Sequence, residues 1–224
     1  MPRSSRATDD NPPLDDARLQ LVFRRAAVAV ILFDPIAAEA LLDLPDAEVG
    51  RRFKICLART MGRATALNLD LRAIREEEKK QLGASERGPK RRRSGRYSLV
   101  VEGKLLRAPI VSEALGITEQ RLAKDVEASR IFTVKVGGDE YYPAFFLAPE
   151  LDRKSLAKVV RQLGDFDGWK KWSFCTKPKE SLGGITPLQV LMHGEVKRVL
   201  RAAEIFVAQW ARRVNGNESR ARKS

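Results

Sequence analysis

Cysteine and histidine are scarce in this chain of 224 residues: there are two cysteines, Cys56 and Cys175, and one histidine, His193. Two cysteines cannot build a disulfide-held fold or a multi-cysteine zinc site. One histidine excludes a His-rich metal site and leaves few routes to His-based catalysis. Long apolar runs are also missing. The longest, Ala26 to Phe33, has eight residues, against the roughly 20 that a membrane span requires. It makes a poor signal peptide, because Asp9, Asp10, Asp15 and Asp16 precede it. The expectation is a cytoplasmic protein with reduced thiols and no membrane partner. No nucleophile stands beside a base and no metal-ligand spacing occurs. Gly183-Gly184 is followed by no Lys-Ser/Thr pair, so no nucleotide loop, enzyme activity or cofactor is expected. Cys56 lies beside Lys54 but within the apolar run of Ile55 and Leu57, and Cys175 follows Phe174. Both read as buried structural thiols. His193 reads as a helix-end cap and not a ligand.

What the chain has is positive charge: 42 Lys and Arg against 29 Asp and Glu, a net +13, with 43% apolar residues. This is a soluble, foldable composition with a polyanionic partner implied. The charge is uneven. Residues 1–16 hold four acidic and two basic residues and read as a disordered tail. Residues 83–96 hold six basic and one acidic residue with no apolar period, and read as a basic linker containing Lys90, Arg91, Arg92 and Arg93. Residues 211–224 hold five basic and one acidic residue and read as a frayed basic tail. Residues 97–148, in contrast, hold six basic and seven acidic residues. Most of the excess therefore falls in one linker and one tail.

Residues 17–82 read as a helical region. Pro35 and Pro45 break its apolar stretch, and Leu67, Leu71 and Ile74 recur at helical spacing with Glu76–Lys80 as an i,i+4 pair. In 97–148, Pro109 suits a helix start, Ile110, Val111, Ala114 and Leu115 give an apolar face, and Gly116 suits a left-handed cap. Thr118 can cap a second helix reaching about Ala128, with Leu122, Ala123 and Val126 facing inward. The period then changes. Phe132, Val134 and Val136 alternate with Ile131, Thr133 and Lys135 up to Gly137-Gly138, and Tyr141 and Tyr142 resume beyond it, as in a β-hairpin. Helix, turn, helix and hairpin together make a winged helix-turn-helix. In such a unit the second helix meets base edges, so Gln120, Arg121 and Lys124 are the candidate readers beside Thr118, with Arg130 and the wing residue Lys135 toward phosphate. Glu119, Asp125 and Glu127 on the same helix oppose phosphate, and the other reading is a packing unit without DNA.

In 149–210, Leu156, Val159, Val160 and Leu163 follow the spacing of a core-facing helix. Trp169, Trp172 and Phe174 crowd six residues, as core or as a partner-binding patch. Thr186 caps a short helix opened by Pro187. Val196, Val199, Leu200, Ala203, Val207 and Trp210 then mark a long amphipathic one.

Leu182-Gly183-Gly184-Ile185-Thr186-Pro187-Leu188 with Leu191, followed by the helix of Val199 and Leu200, resembles the C-terminal toxin-binding domain of Xre/MbcA/ParS-type antitoxins. Residues 107–146, ending in Tyr141-Tyr142-Pro143-Ala144-Phe145-Phe146, resemble an excisionase-like helix-turn-helix. The likeness covers 165–205 and 107–146 and does not reach 1–96. It implies a bacterial DNA-binding regulator of antitoxin type, with double-stranded DNA and a toxin-like protein, often of the RES kind, as partners. The toxin-binding residues it implies are Trp169, Trp172, Phe174, Leu182, Gly183, Gly184, Thr186, Pro187, Leu188 and Leu191. A homodimer is expected because helix-turn-helix readers pair on palindromic sites. The competing expectation is a protein-interaction module without DNA binding. The expected fold is mainly α: a helical N-terminal region, a winged helix-turn-helix with a small β-hairpin, and a C-terminal helical domain.

Overall fold

Prolines, caps and apolar spacing produce a mainly helical chain with one small antiparallel sheet of three strands. The computed structural model describes residues 16–70, 73–74 and 95–221. The expected tail up to residue 15, the Glu76–Lys80 pair, Lys90, Arg91, Arg92, Arg93 and residues 222–224 lie outside the described residues. Two units divide between Arg52 and Phe53.

In the first unit, α1 (Asp16–Phe33) and α2 (Pro35–Leu42) are separated by Asp34 alone. Pro35 cannot continue α1 but suits the first turn of α2. The Asp34 carboxylate accepts the Ala37 N–H at 3.0 Å and caps α2. α2 packs against α1. After Pro45, α3 (Asp46–Ala66) begins here and runs on into the second unit. No described residue from 16 to 52 is buried.

In the second unit, the latter half of α3 buries a face of small residues, Ala58, Gly62, Ala64, Thr65 and Ala66. Small residues let backbones approach closely: a Cβ on Gly62 would stand 2.5 Å from the Ala144 carbonyl oxygen. The helical spacing expected through Leu67, Leu71 and Ile74 is interrupted rather than lost: α3 ends at Ala66, and a helical turn restarts at Asp70, whose carboxylate accepts the Ala73 N–H at 3.0 Å and whose carbonyl accepts the Ile74 N–H at 3.1 Å. Asn68 takes a left-handed φ of +56°. The Leu67 carbonyl accepts Gln189 Nε2 at 3.2 Å.

Gly95 and Arg96, the end of the expected linker, open α4 (Gly95–Val101). β1 (Leu105–Leu106) follows, then α5 (Ala108–Leu115), with Pro109 in its first turn and Gly116 capping it at φ +68°. α6 (Glu119–Glu127) comes next. β2 (Val134–Val136) and β3 (Asp139–Pro143) form a hairpin closed by Gly137 and Gly138, both at positive φ. Two such residues are what a tight primed turn needs. The register pairs Val134 with Tyr141 and Val136 with Asp139. β1 adds to the other edge, pairing Leu106 with Tyr142. This third strand, only two residues long, leaves no alternation for a sequence reading to detect. Phe132, Val134 and Val136 point into the core as expected. Ala123 does not, and lies exposed. In this short helix Leu122 and Val126 carry the inward stripe, and Ala123 sits about 100° round from Leu122.

α7 (Arg153–Gln162) is capped by Asp152, whose carboxylate accepts the N–H groups of Lys154 and Ser155. α8 (Gly168–Thr176) is capped by Asp167 and α9 (Pro187–Met192) by Thr186. α10 (Val196–Ala221) runs straight through the region expected to fray after residue 210. The main core joins Leu105, Phe132 and Phe145 to Val160, Phe174 and Val199. Segments 97–148 and 149–210 thus share one apolar core. No helix among the described residues is long and apolar enough to cross a membrane.

Candidate nucleic-acid interface

α6 is positioned at its start and its middle. Its Thr118 cap accepts the Arg121 N–H at 3.2 Å, and fully buried Leu122 pins its middle beside Val111 and Ala114 of α5. This orientation leaves Gln120, Arg121 and Lys124 exposed. Arg121 and Arg130 converge on one carboxylate: Asp125 lies 3.6 Å from the first and 2.7 Å from the second. Exposed pairs of this kind are worth about 0–1 kcal/mol, so a phosphate can replace Asp125 as partner at little cost.

α7 faces this pair across a cleft of about 500 Å³. The stripe of Leu156, Val159, Val160 and Leu163 is buried as its spacing predicts, which turns the opposite face of α7 outward. That face carries Arg153, Lys154, Lys158 and Arg161, all exposed. Among the described residues none of the four is held in an ion pair. The cleft has an apolar floor that includes Ile117, Ile131 and Phe146. Six cations surround it (Arg121 and Arg130 from the α6 side, the other four from α7) against the single carboxylate of Asp125. A concave, one-signed lining over low-dielectric walls focuses its field outward and draws anions in.

The hairpin differs in charge. Lys135 is exposed but stands opposite Glu140 in the register. Asp139 at the turn is 3.5 Å from Arg107. Burial raises the Tyr142 hydroxyl pKa above its ordinary value, and the nearby charges of Glu140 and Glu119 add to the rise. Lys135 is therefore matched by acid, unlike the α7 cations. The hairpin is fixed by its backbone: Trp169 Nε1 donates to the Lys135 carbonyl at 3.0 Å.

The α7 cations line the cleft without being evident from a reading by segments. The signal was present, since Lys154, Lys158 and Arg161 recur at i, i+4 and i+7 on the face opposite the apolar stripe. They belong to a different segment from α6, so the near-neutral sum over 97–148 did not include them.

The expected partner-binding residues need correction. Trp172, Phe174, Leu182, Thr186, Pro187, Leu188 and Leu191 are buried. Their side chains hold the fold: Trp172 stacks on Phe145 at 5.7 Å and Phe174 lies 5.3 Å from Phe206. Thr186 and Gln189 form a reciprocal capping box. Trp169 is half-buried beneath Arg96, whose guanidinium carbon is 4.7 Å from the ring centre. Of the expected set, Gly183 and Gly184 alone are exposed, with exposed Ile185 beside them. Cys56 also departs from expectation. It is exposed, because the inward face of α3 is taken by Ala58 and Gly62. Cys175 is fully buried, and desolvation pushes its thiol pKa up to about 12, well away from a reactive thiolate. His193 stands at the C-cap of α9.

Compared with known proteins, the chain matches no family model, no curated protein and no solved structure.

Proposed function

We propose that the protein is a DNA-binding regulator of antitoxin type that sets α6 of a winged helix-turn-helix unit against duplex DNA, with the cations of α7, from the helical segment that follows, against the flanking phosphates. The observation that carries this reading is the cleft in which six cations face one carboxylate. Gln120 and Lys124, with Arg121 once it leaves Asp125, supply base-edge contacts from α6. Arg130, Arg153, Lys154, Lys158 and Arg161 neutralise phosphates and set the register on the duplex. Lys90, Arg91, Arg92 and Arg93 add sequence-independent attraction. A toxin-like protein, of the RES kind, is the second partner in this reading. Its support is the resemblance of 165–205, and the surface offered there is the Gly183–Gly184–Ile185 turn.

The test is fluorescence anisotropy of the full chain with two duplexes at moderate salt: the DNA directly upstream of its own coding sequence and a shuffled version. Binding of both, tighter to the first, is the expected result. No binding to either at micromolar protein overturns the reading in favour of a protein-interaction module.

A further inference from the structure

The first unit has helices without a core of its own. α1 and α2 pack together, yet none of the described residues from 16 to 52 is buried. The exposed positions are large and apolar. Val28, Ile31, Leu32 and Phe33 on α1 are 49%, 59%, 72% and 88% exposed, and Ile36 and Leu42 on α2 are 81% and 86% exposed. A helix that is apolar all round, as α1 is from Ala26 to Phe33, belongs on more than one neighbour, and α2 supplies one.

We propose that this unit is the self-association surface of the protein: a second copy of the chain covers it, with α1 packed antiparallel against α1 about a two-fold axis.

Three observations select a second copy as the occupant. The first is area. With Leu21, Val22 and Leu41, which are also exposed, nine large apolar side chains on two adjacent helices face solvent, where a stable interface needs about 800 Å² per partner. The second is charge. Laying Ala26–Phe33 antiparallel on itself, centre on centre, brings Arg25 level with Asp34 of the partner subunit, and the two-fold axis makes that match twice. A parallel pairing would instead set Arg24 and Arg25 against the same arginines. One Asp34 oxygen caps α2 through Ala37, which leaves the other for a guanidinium. The third is architecture. Two α1–α2 pairs form a four-helix arrangement with an interior, which supplies the core that one copy lacks.

A lipid surface fits less well. The run of eight is too short to span, and Arg24 and Arg25 interrupt α1 at its middle.

The experiment is light scattering coupled to size exclusion on the full chain over about 1–100 µM, followed by sedimentation equilibrium. The expected result is a dimer. The double variant Ile31→Glu/Leu32→Glu is expected to be monomeric with the thermal transition of the second unit unchanged. Arg25→Glu, which sets two carboxylates facing, should weaken the dimer about tenfold or more. Adding Asp34→Asn, a residue that still caps a helix, should restore most of that loss. Rescue separates a two-fold pair from general loss of structure. A wild-type chain that stays monomeric at 100 µM overturns the proposal, whether it remains free in solution or binds phosphatidylglycerol vesicles. A dimer that survives Ile31→Glu/Leu32→Glu, or an Asp34→Asn addition without rescue, overturns the assigned surface. None of these outcomes depends on DNA binding.

Discussion

Gly168, at the start of α8, lies so close to Thr133 that a Cβ added to it would stand 1.8 Å from the Thr133 carbonyl oxygen. Beside it, the Trp169 indole reaches over to the Lys135 carbonyl. The hairpin that follows α6 is thus seated on a C-terminal helix by direct backbone approach. Gly168→Ala should force the two elements apart and destabilise the second unit by about 1–3 kcal/mol, the usual cost of overpacking. Urea unfolding checks this. Gly116→Ala meets no neighbouring atom and would show only the cost of a left-handed φ.

Much of this architecture is legible in the sequence. Gly116, Thr118 and Thr186 act locally, through a cap or a permitted φ, so their residue types reveal their roles. The Leu156 to Leu163 stripe is equally plain. The Gly168–Thr133 approach joins residues 35 positions apart and leaves no mark in either local pattern. Leu67 to Ile74 shows the opposite case. The local helical period gives no sign of the break after Ala66, where Asn68 turns left-handed and the Leu67 carbonyl accepts a hydrogen bond from Gln189, more than a hundred residues away. The cationic cleft is half legible for the same reason. α6 has a recognisable start and outward face, but the cations opposite lie on α7, and packing alone brings them together. Most of the residues expected to meet a toxin lie in the core, since Trp, Phe and Leu look alike in a sequence whether they serve a core or an interface.

The two thiols should behave oppositely. Cys56 is exposed, while Cys175 is buried and its pKa is raised to about 12. Under native conditions at pH 8, a thiol reagent such as dithionitrobenzoate should titrate one cysteine quickly. The second should appear only after denaturation, and Cys56→Ser should abolish the fast phase.

Lys171 is buried beside Trp172, and burial lowers its ammonium pKa, with the Asp165 charge working the other way. For a cation whose folded pKa is depressed, the charged form costs stability at all pH values below that lowered pKa. The cost shrinks as pH rises through the lowered pKa, because the unfolded chain then binds more protons than the folded one. Lys171→Met should therefore be at least as stable as the parent at pH 7, and its advantage should narrow at alkaline pH. Denaturation midpoints of both proteins at pH 7 and pH 10 would show it. An advantage that grows with pH would refute the sign.

Gln189 ties the start of α9 to the turn after α3. Its Oε1 accepts the Thr186 N–H at 3.0 Å and its Nε2 donates to the Leu67 carbonyl at 3.2 Å. Gln189→Ala removes both bonds and should cost about 1–2 kcal/mol in urea unfolding. Gln189→Glu keeps the acceptor but not the donor, so it should recover only part of that loss.

In the proposed DNA complex α7 meets phosphate while α6 reads base edges. This division is tested most directly by the salt dependence of DNA binding in Lys154→Ala/Lys158→Ala/Arg161→Ala, compared with Gln120→Ala/Lys124→Ala. The α7 triple variant should weaken binding to matched and shuffled duplexes alike. It should also reduce the slope of log K against log salt by about 2–3, near one per lost contact. The α6 variant should mainly close the gap between the two duplexes, by about 1–3 kcal/mol per lost base contact. An α7 triple variant with an unchanged salt slope would contradict it.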